Sequence, residues 1–271
     1  MSLSISIPGT SLSKLLAIFL VSGPICFGQP KAEVRPPQTL NPKEGEALAH
    51  SLVSEMLTQQ PAQNSTNTGV LKIRDTGGEQ RQIPMRFELF STPTNWVSIY
   101  EAGPWGGGRD RMQLRVIHSN NSPNRYLLGV AAGANAPSSV LKEVPPSDTM
   151  VPFAGSDFWL ADLGLEFLHW PQQRVMSKEM RRSQFCLKLE SINPHPGSSG
   201  YVRVESWIDH DPPHGIIHAD AFDRKNQLLK KFDPTEIKKV HGEYQLAEME
   251  IRNPKANSQT RIDFDLEQSK R

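Results

Sequence analysis

The sequence predicts an α+β protein, mainly β, organised on one curved antiparallel sheet. Three observations carry this. Past residue 69 the apolar residues recur with a period of two, as in Met85, Phe87, Leu89 and again in Ile262, Phe264, Leu266. Helical spacing is confined to residues 42–60 and one short segment near residues 156–163. Proline (22) and glycine (19) are spread through the 271 residues, which favours turns between strands over long helices. About ten strands with few helices make a single antiparallel sheet the economical arrangement.

The chain opens with a secretory signal over residues 1–28. Lys14 and the amino terminus supply the positive region, residues 15–21 form the apolar region, and Pro24 breaks it. Cleavage is expected after Gly28. The apolar run is far short of the ~20 residues that a membrane span needs. Cys26 is read as part of the discarded signal, because Gly23, Pro24 and Ile25 make a poor lipobox; a membrane-tethered lipoprotein is the alternative. Residues 29–43 follow as a Pro-rich leader expected to be poorly ordered, and residues 44–268 as a single domain. Loss of the signal removes Lys14 from 30 Lys and Arg, leaving 29 bases against 29 acids. Such a neutral chain does not attract nucleic acid through long-range charge, and nucleic acid is excluded as a partner.

The elements follow in order. Asn41 is placed as a helix N-cap, Pro42 at the first helical position, and Glu44 to complete a capping box. Leu48, Leu52 and Met56 recur every four residues, with Val53 and Leu57 widening the stripe, and the helix should end near Gln60 and Pro61. Residues 70–74 and 82–90 flank Thr76-Gly77-Gly78, a hairpin signal. Residues 96–100, 112–118 and 125–130 continue the meander, with Met112 and Leu114 on one face. In the middle, Ser156 can cap a short helix. Strands resume at residues 185–190, 201–209 (with Val202 and Val204 alternating), 216–222, 228–232, 244–252 (Met249 and Ile251) and 260–267. Residues 223–227 form a hairpin turn in which Asn226 can adopt the left-handed conformation.

The run Gly155-Ser156-Asp157-Phe158-Trp159-Leu160-Ala161-Asp162-Leu163 resembles the "GSDF…DL" signature of LolA-like outer-membrane lipoprotein-sorting proteins. Features in the family's order follow it. Phe185-Cys186-Leu187-Lys188-Leu189 and Trp207-Ile208-Asp209 resemble its next strands. Asp223-Arg224-Lys225-Asn226-Gln227-Leu228-Leu229-Lys230 resembles its "yD..G.l.K" hairpin, with Asn226 where Gly is usual. Met249-Glu250-Ile251-Arg252-Asn253 and Thr260-Arg261-Ile262 resemble its close. The match covers residues 153–267, and residues 45–150 agree in shape.

The resemblance implies a strongly curved antiparallel sheet, an unclosed half-barrel, with a few helices covering its concave side. It implies a periplasmic carrier that binds acyl chains of lipoproteins or lipids in an apolar cavity. An inner-membrane exporter and an outer-membrane acceptor are the partners such a carrier would meet. An envelope sensor of RseB-like type, with the same fold and no transport role, is the alternative.

The residues expected to line such a cavity are Met85, Phe87, Leu89, Trp96, Met112, Leu114, Val202, Val204, Met249, Ile251, Ile262, Phe264 and Leu266. Alternation alone does not separate an open cavity from a filled core. No enzyme is expected. The chain has no nucleophile elbow, Walker loop, dinucleotide fingerprint or Cys-pair zinc motif, and no cofactor is implied. Gly106-Gly107-Gly108 reads as a loop. His210, His214 and His218 are not a metal site: Pro212 and Pro213 forbid a helix, and on a strand His214 and His218 would stand about 13 Å apart. Glu88, Glu101, Asp157 and Asp162 offer no acid–base pair, and Asp157 and Asp162 read as acids of the short helix's first turn. Cys186 reads as a small core residue.

Overall fold

The computed structural model describes residues 36–61, 64–92, 95–103, 111–119, 122–131, 140–240 and 243–266. The expected signal, Cys26, the first part of the leader and the Gly106–Gly108 loop lie outside these residues.

The strands are β1 (Gln38–Thr39), β2 (Ser65–Arg74), β3 (Gln80–Ser91), β4 (Asn95–Ala102), β5 (Arg111–Ser119), β6 (Ser122–Ala131) and β7 (Lys142–Val144). They continue with β8 (Gln172–Arg181), β9 (Gln184–Ile192), β10 (Arg203–Asp209), β11 (Ile216–Phe222), β12 (Leu228–Val240), β13 (Glu243–Asn253) and β14 (Ser258–Asp265). Two α-helices, α1 (Pro42–Thr58) and α2 (Leu160–Leu163), and 3-10 turns at Pro146–Asp148 and Glu166–His169 complete the described elements. All fourteen strands belong to one sheet, in the order β1-β8-β9-β10-β11-β12-β13-β14-β2-β3-β4-β5-β6-β7. Every pairing is antiparallel, and β1 and β7 are the two edges of a sheet that does not close.

Alternation explains the layers. Leu71 and Ile73 on β2, Met85, Phe87 and Leu89 on β3, Leu114 and Val116 on β5, and Ile262 on β14 are buried on the inner face with Phe153, Phe158 and Leu160. On the other half of the sheet, Val175, Leu187, Leu189, Val204 and Ile208 are buried beneath Ala49, Leu52, Val53 and Met56 of α1. Phe232 packs against both clusters and joins them. The outer face carries cross-strand ion pairs instead. Arg86 meets Glu101 at 2.6 Å, Lys188 meets Glu205 at 2.9 Å and Arg174 meets Glu190 at 3.0 Å. Solvent-facing pairs of this kind contribute little each, roughly 0–1 kcal/mol, and serve mainly to keep that face wet.

The capping signals place α1 where expected. Asn41 Oδ1 accepts from the Glu44 N–H at 3.0 Å, and Pro42 is the first helical residue. Glu44 does not close a capping box, however: its carboxylate accepts from the Asn41 side-chain amide. Gly45 lets the helix approach β8, because a methyl group there would collide with the Val175 carbonyl. Asn226 is left-handed at φ 58°, as the turn chemistry requires.

Several expectations change. The leader is not wholly poor in order, since Gln38 and Thr39 pair with Lys178 and Ser177 of β8. Among the described residues the strands number fourteen, with β1, β7 and β8 unforeseen. Ser156 caps no helix: its Oγ accepts from the Phe158 N–H within a turn, and α2 starts later, at Leu160. Asp162 does belong to the first turn of α2 and accepts from the Trp159 N–H. Asp157 does not. It accepts from the Ser258 and Thr260 hydroxyls of β14.

Cys186 is fully buried, in a small outer-face cluster with Trp207 and Ile217. Burial pushes its thiol up to about 12, so almost no thiolate exists at neutral pH. In the native protein it should therefore resist a disulfide reagent for hours and react within seconds in denaturant. Rapid native labelling would contradict this burial.

His214 and His218 hold different partners. His214 lies between the Asp209 carbonyl and the Glu55 carboxylate. His218 Nδ1 is 2.6 Å from Asp233 and Nε2 is 2.9 Å from Asp220. Among the described residues no cluster could hold a metal ion. Burial alone would lower the His218 pKa, but the two carboxylates outweigh it and hold it above the usual 6.5. Asp233 is held below its usual 3.8 against the opposing effect of its own burial, chiefly by His218. The His218 contribution to stability is thus complete below pH 6.5 and fades as pH rises through the raised folded value. The Asp233 contribution is complete above 3.8 and fades on acidification. Urea midpoints of His218→Gln should lose the alkaline part of this pH dependence; an unchanged profile would exclude the clamp as its source.

Candidate functional site: an apolar cavity on the inner face

Strand alternation brings the inner faces of five strands around one cavity. Phe87 and Leu89 come from β3, Trp96, Ser98 and Tyr100 from β4, His118 from β5, and Phe232 and Met249 from β12 and β13. Phe158, Asp162 and Leu163 close it from above, and Gln59 and Pro61, just past α1, stand at its rim with Leu165. Its volume is about 650 Å³ counting the space at its mouth. A smaller recess shares Gln59, Trp96, His118, Gly164 and Leu165 with it and reaches Met56 of α1 and His169.

The lining is mostly aromatic and aliphatic, with a few polar groups held in place. Ser98 Oγ lies 2.9 Å from His118 Nε2, and the Trp96 ring stacks on His118 with centroids 3.6 Å apart. The pairing of β4 with β5 sets Trp96 opposite His118, which explains the stack. Tyr100 donates to the Leu163 carbonyl at 3.2 Å, tying β4 to the end of α2. Burial pushes the His118 pKa down to about 3 and that of His169 to about 4, so both rings are neutral at physiological pH.

The segment covering the cavity is fastened by a buried polar network. Lys230 of β12, 3% exposed, donates to the Asp157 carbonyl at 2.6 Å and pairs with Asp162 Oδ2 at 3.2 Å. Its Nζ also sits 3.5 Å above the Trp159 ring. Tyr201 donates to Asp162 Oδ1 at 2.8 Å. Burial lowers the Lys230 pKa to about 8, opposed by Asp162. Gly155 adopts φ 65° and its carbonyl accepts from Arg81 at 2.5 Å, so the turn before Phe158 is fixed to β3 as well. The acids of the signature and the lysine of the downstream hairpin are therefore one structural device. It presses Phe158 and Leu163 onto the inner face.

Of the positions expected to line a cavity, Phe87, Leu89, Trp96 and Met249 do so. Met85, Leu114, Ile251 and Ile262 are buried in the same core cluster, and Met112 and Phe264 pack on its margin. The Phe264 ring lies 5.8 Å from Phe87. Val204 belongs to the cluster under α1. Val202, half-buried, precedes β10, and Leu266 follows the end of β14. Sequence reasoning missed Ser98, Tyr100, His118, Phe158, Asp162 and Phe232. The alternation of Trp96, Ser98 and Tyr100 carried a signal for two of them; His118 and Phe232 needed the strand register, and Phe158 and Asp162 the packing of the segment around α2.

The fold is thus an open antiparallel sheet with its helices on one face and an apolar cavity beneath them. A family model described as an uncharacterized protein matches residues 138–269. No curated protein sequence matches the chain. Among solved structures, a domain from Vibrio parahaemolyticus described as an outer membrane lipoprotein-sorting protein superposes with a TM-score of 0.65 at 17% identity, covering 83% of this chain and 92% of that one. A DUF1329 family protein from Desulfovibrio piger gives 0.63 at 18% identity, covering 82% and 91%. A LolA superfamily protein from Nitrosomonas europaea gives 0.52 at 13% identity, covering 80% and 91%. The chain is LolA-like in fold: a mainly β, unclosed half-barrel.

Proposed function

We propose that this protein is a periplasmic carrier that holds acyl chains of lipids or lipoproteins in the inner-face cavity, without covalent chemistry. One observation carries the reading: the cavity is walled by Phe87, Leu89, Trp96, Phe158, Leu163, Phe232 and Met249, and Asp162, the one carboxylate among its described lining residues, is neutralised by Lys230. An apolar chain there exchanges water for carbon at about 0.8 kcal/mol per methylene, so eight buried methylenes supply roughly 6 kcal/mol. That affinity is sufficient to shield a chain and low enough to release it. The relatives in fold described as lipoprotein-sorting and LolA superfamily proteins support the class of ligand and a periplasmic site of action. The apolar stretch at residues 15–21 supports export. Among the described residues no helix is long and apolar enough to cross a membrane.

Titration of the full chain with a pyrene-labelled acyl ester tests this. Wild type should bind saturably. Met249→Trp, which fills the cavity, should weaken binding at least tenfold, whereas Asp265→Lys, on an exposed position of β14, should leave it unchanged. Equal responses from both variants would refute the cavity as the binding site.

A further inference from the structure

We propose that Ser98 and His118 recognise the carbonyl of an uncharged acyl ester, so that the cavity takes esterified acyl chains in preference to free fatty-acid anions. This rests on the acyl-binding reading above. Both residues are buried on the inner face, Ser98 at 2% and His118 at 8% exposure, and both line the cavity. They are its clearest polar pair, with Oγ and Nε2 2.9 Å apart. When His118 carries its proton on Nε2, the ring donates to Ser98, and the serine O–H, which otherwise serves the Tyr100 oxygen, can turn to an acceptor in the cavity. An ester carbonyl is such an acceptor and costs little to desolvate beside aromatic walls.

A carboxylate would meet different surroundings. Among the described residues lining the cavity there is no lysine or arginine. The nearby Lys230 already serves Asp162 and the Asp157 carbonyl. With the Lys230 charge taken up by Asp162, a second carboxylate in the cavity would be buried without a counter-charge. His118 and His169, both held neutral by burial, supply no positive charge. The same Ser–His pair has the spacing of a nucleophile and its base. A ring this reluctant to accept a proton is a weak base, and the pair is assigned to binding rather than turnover.

Displacement of Nile red from the full chain at pH 8 tests the assignment. Methyl laurate should displace the dye at concentrations at least tenfold below those needed for laurate. Ser98→Ala should lose about tenfold in affinity for methyl laurate while keeping its affinity for dodecyl methyl ether, which lacks the carbonyl. Laurate binding as tightly as its methyl ester would overturn the carbonyl site and leave the acyl cavity standing. An equal loss of ester and ether in Ser98→Ala would overturn it as well, and so would release of laurate from the ester. If none of the three ligands displaces the dye, the carrier reading and the carbonyl site fall together.

Discussion

Lys230→Met should destabilise the fold by about 3–5 kcal/mol, because removing one partner of a buried ion pair leaves the other charged and unpaired. The side chain is 3% exposed, and its ammonium holds both the Asp157 carbonyl and the Asp162 carboxylate. Asp162 would keep the Trp159 N–H and the Tyr201 hydroxyl but lose its counter-charge. The double variant Lys230→Met with Asp162→Asn removes both charges and should recover part of the loss. Urea unfolding of the single and double variants measures this directly. If the double variant is as unstable as the sum of the two single ones, the ion pair is not what fastens the covering segment.

The second large effect is expected at Phe158. It is 1% exposed, packs among the core of β2–β6, and forms part of the cavity's cover. Phe158→Ala should cost about 3–5 kcal/mol, since lost transfer energy and an unfilled cavity both count against the variant. It should also enlarge the cavity and admit a bulkier acyl probe than wild type does. The contrasting position is Phe264, half-buried on the margin of the same cluster, where truncation should cost clearly less. Thermal and urea midpoints of the two variants side by side decide this. Equal costs at both positions would mean that Phe158 is not the anchor of the cover.

Much of this architecture was legible because local signals and packing agreed. Asn41 and Pro42 marked the start of α1, and Leu52, Val53 and Met56 marked its buried face. β3 and β14 alternate cleanly because one face meets the core and the other meets ion pairs or water. β8 escaped notice for a physical reason. Of its ten residues only Val175 and Ser177 are buried; Ser177 and Glu179 bond each other, and Glu179 also accepts from Trp207. Its strand identity comes from the neighbours β1 and β9, not from its own pattern. The cavity's polar centre was illegible for a similar reason. Ser98 and His118 are 20 positions apart and meet only once β4 and β5 are in register. The signature acids were visible, but their partners were not: Asp157 is held from β14 and Asp162 from β12.

Native mass spectrometry of the full chain recovered from its own cells tests the central claim most directly. Wild type should carry a mass increment of one or more acyl-bearing molecules, released on denaturation. Met249→Trp, folded by circular dichroism but with its cavity filled, should carry none. Wild-type protein free of any such increment, or an increment that survives in Met249→Trp, would contradict the acyl-carrier account.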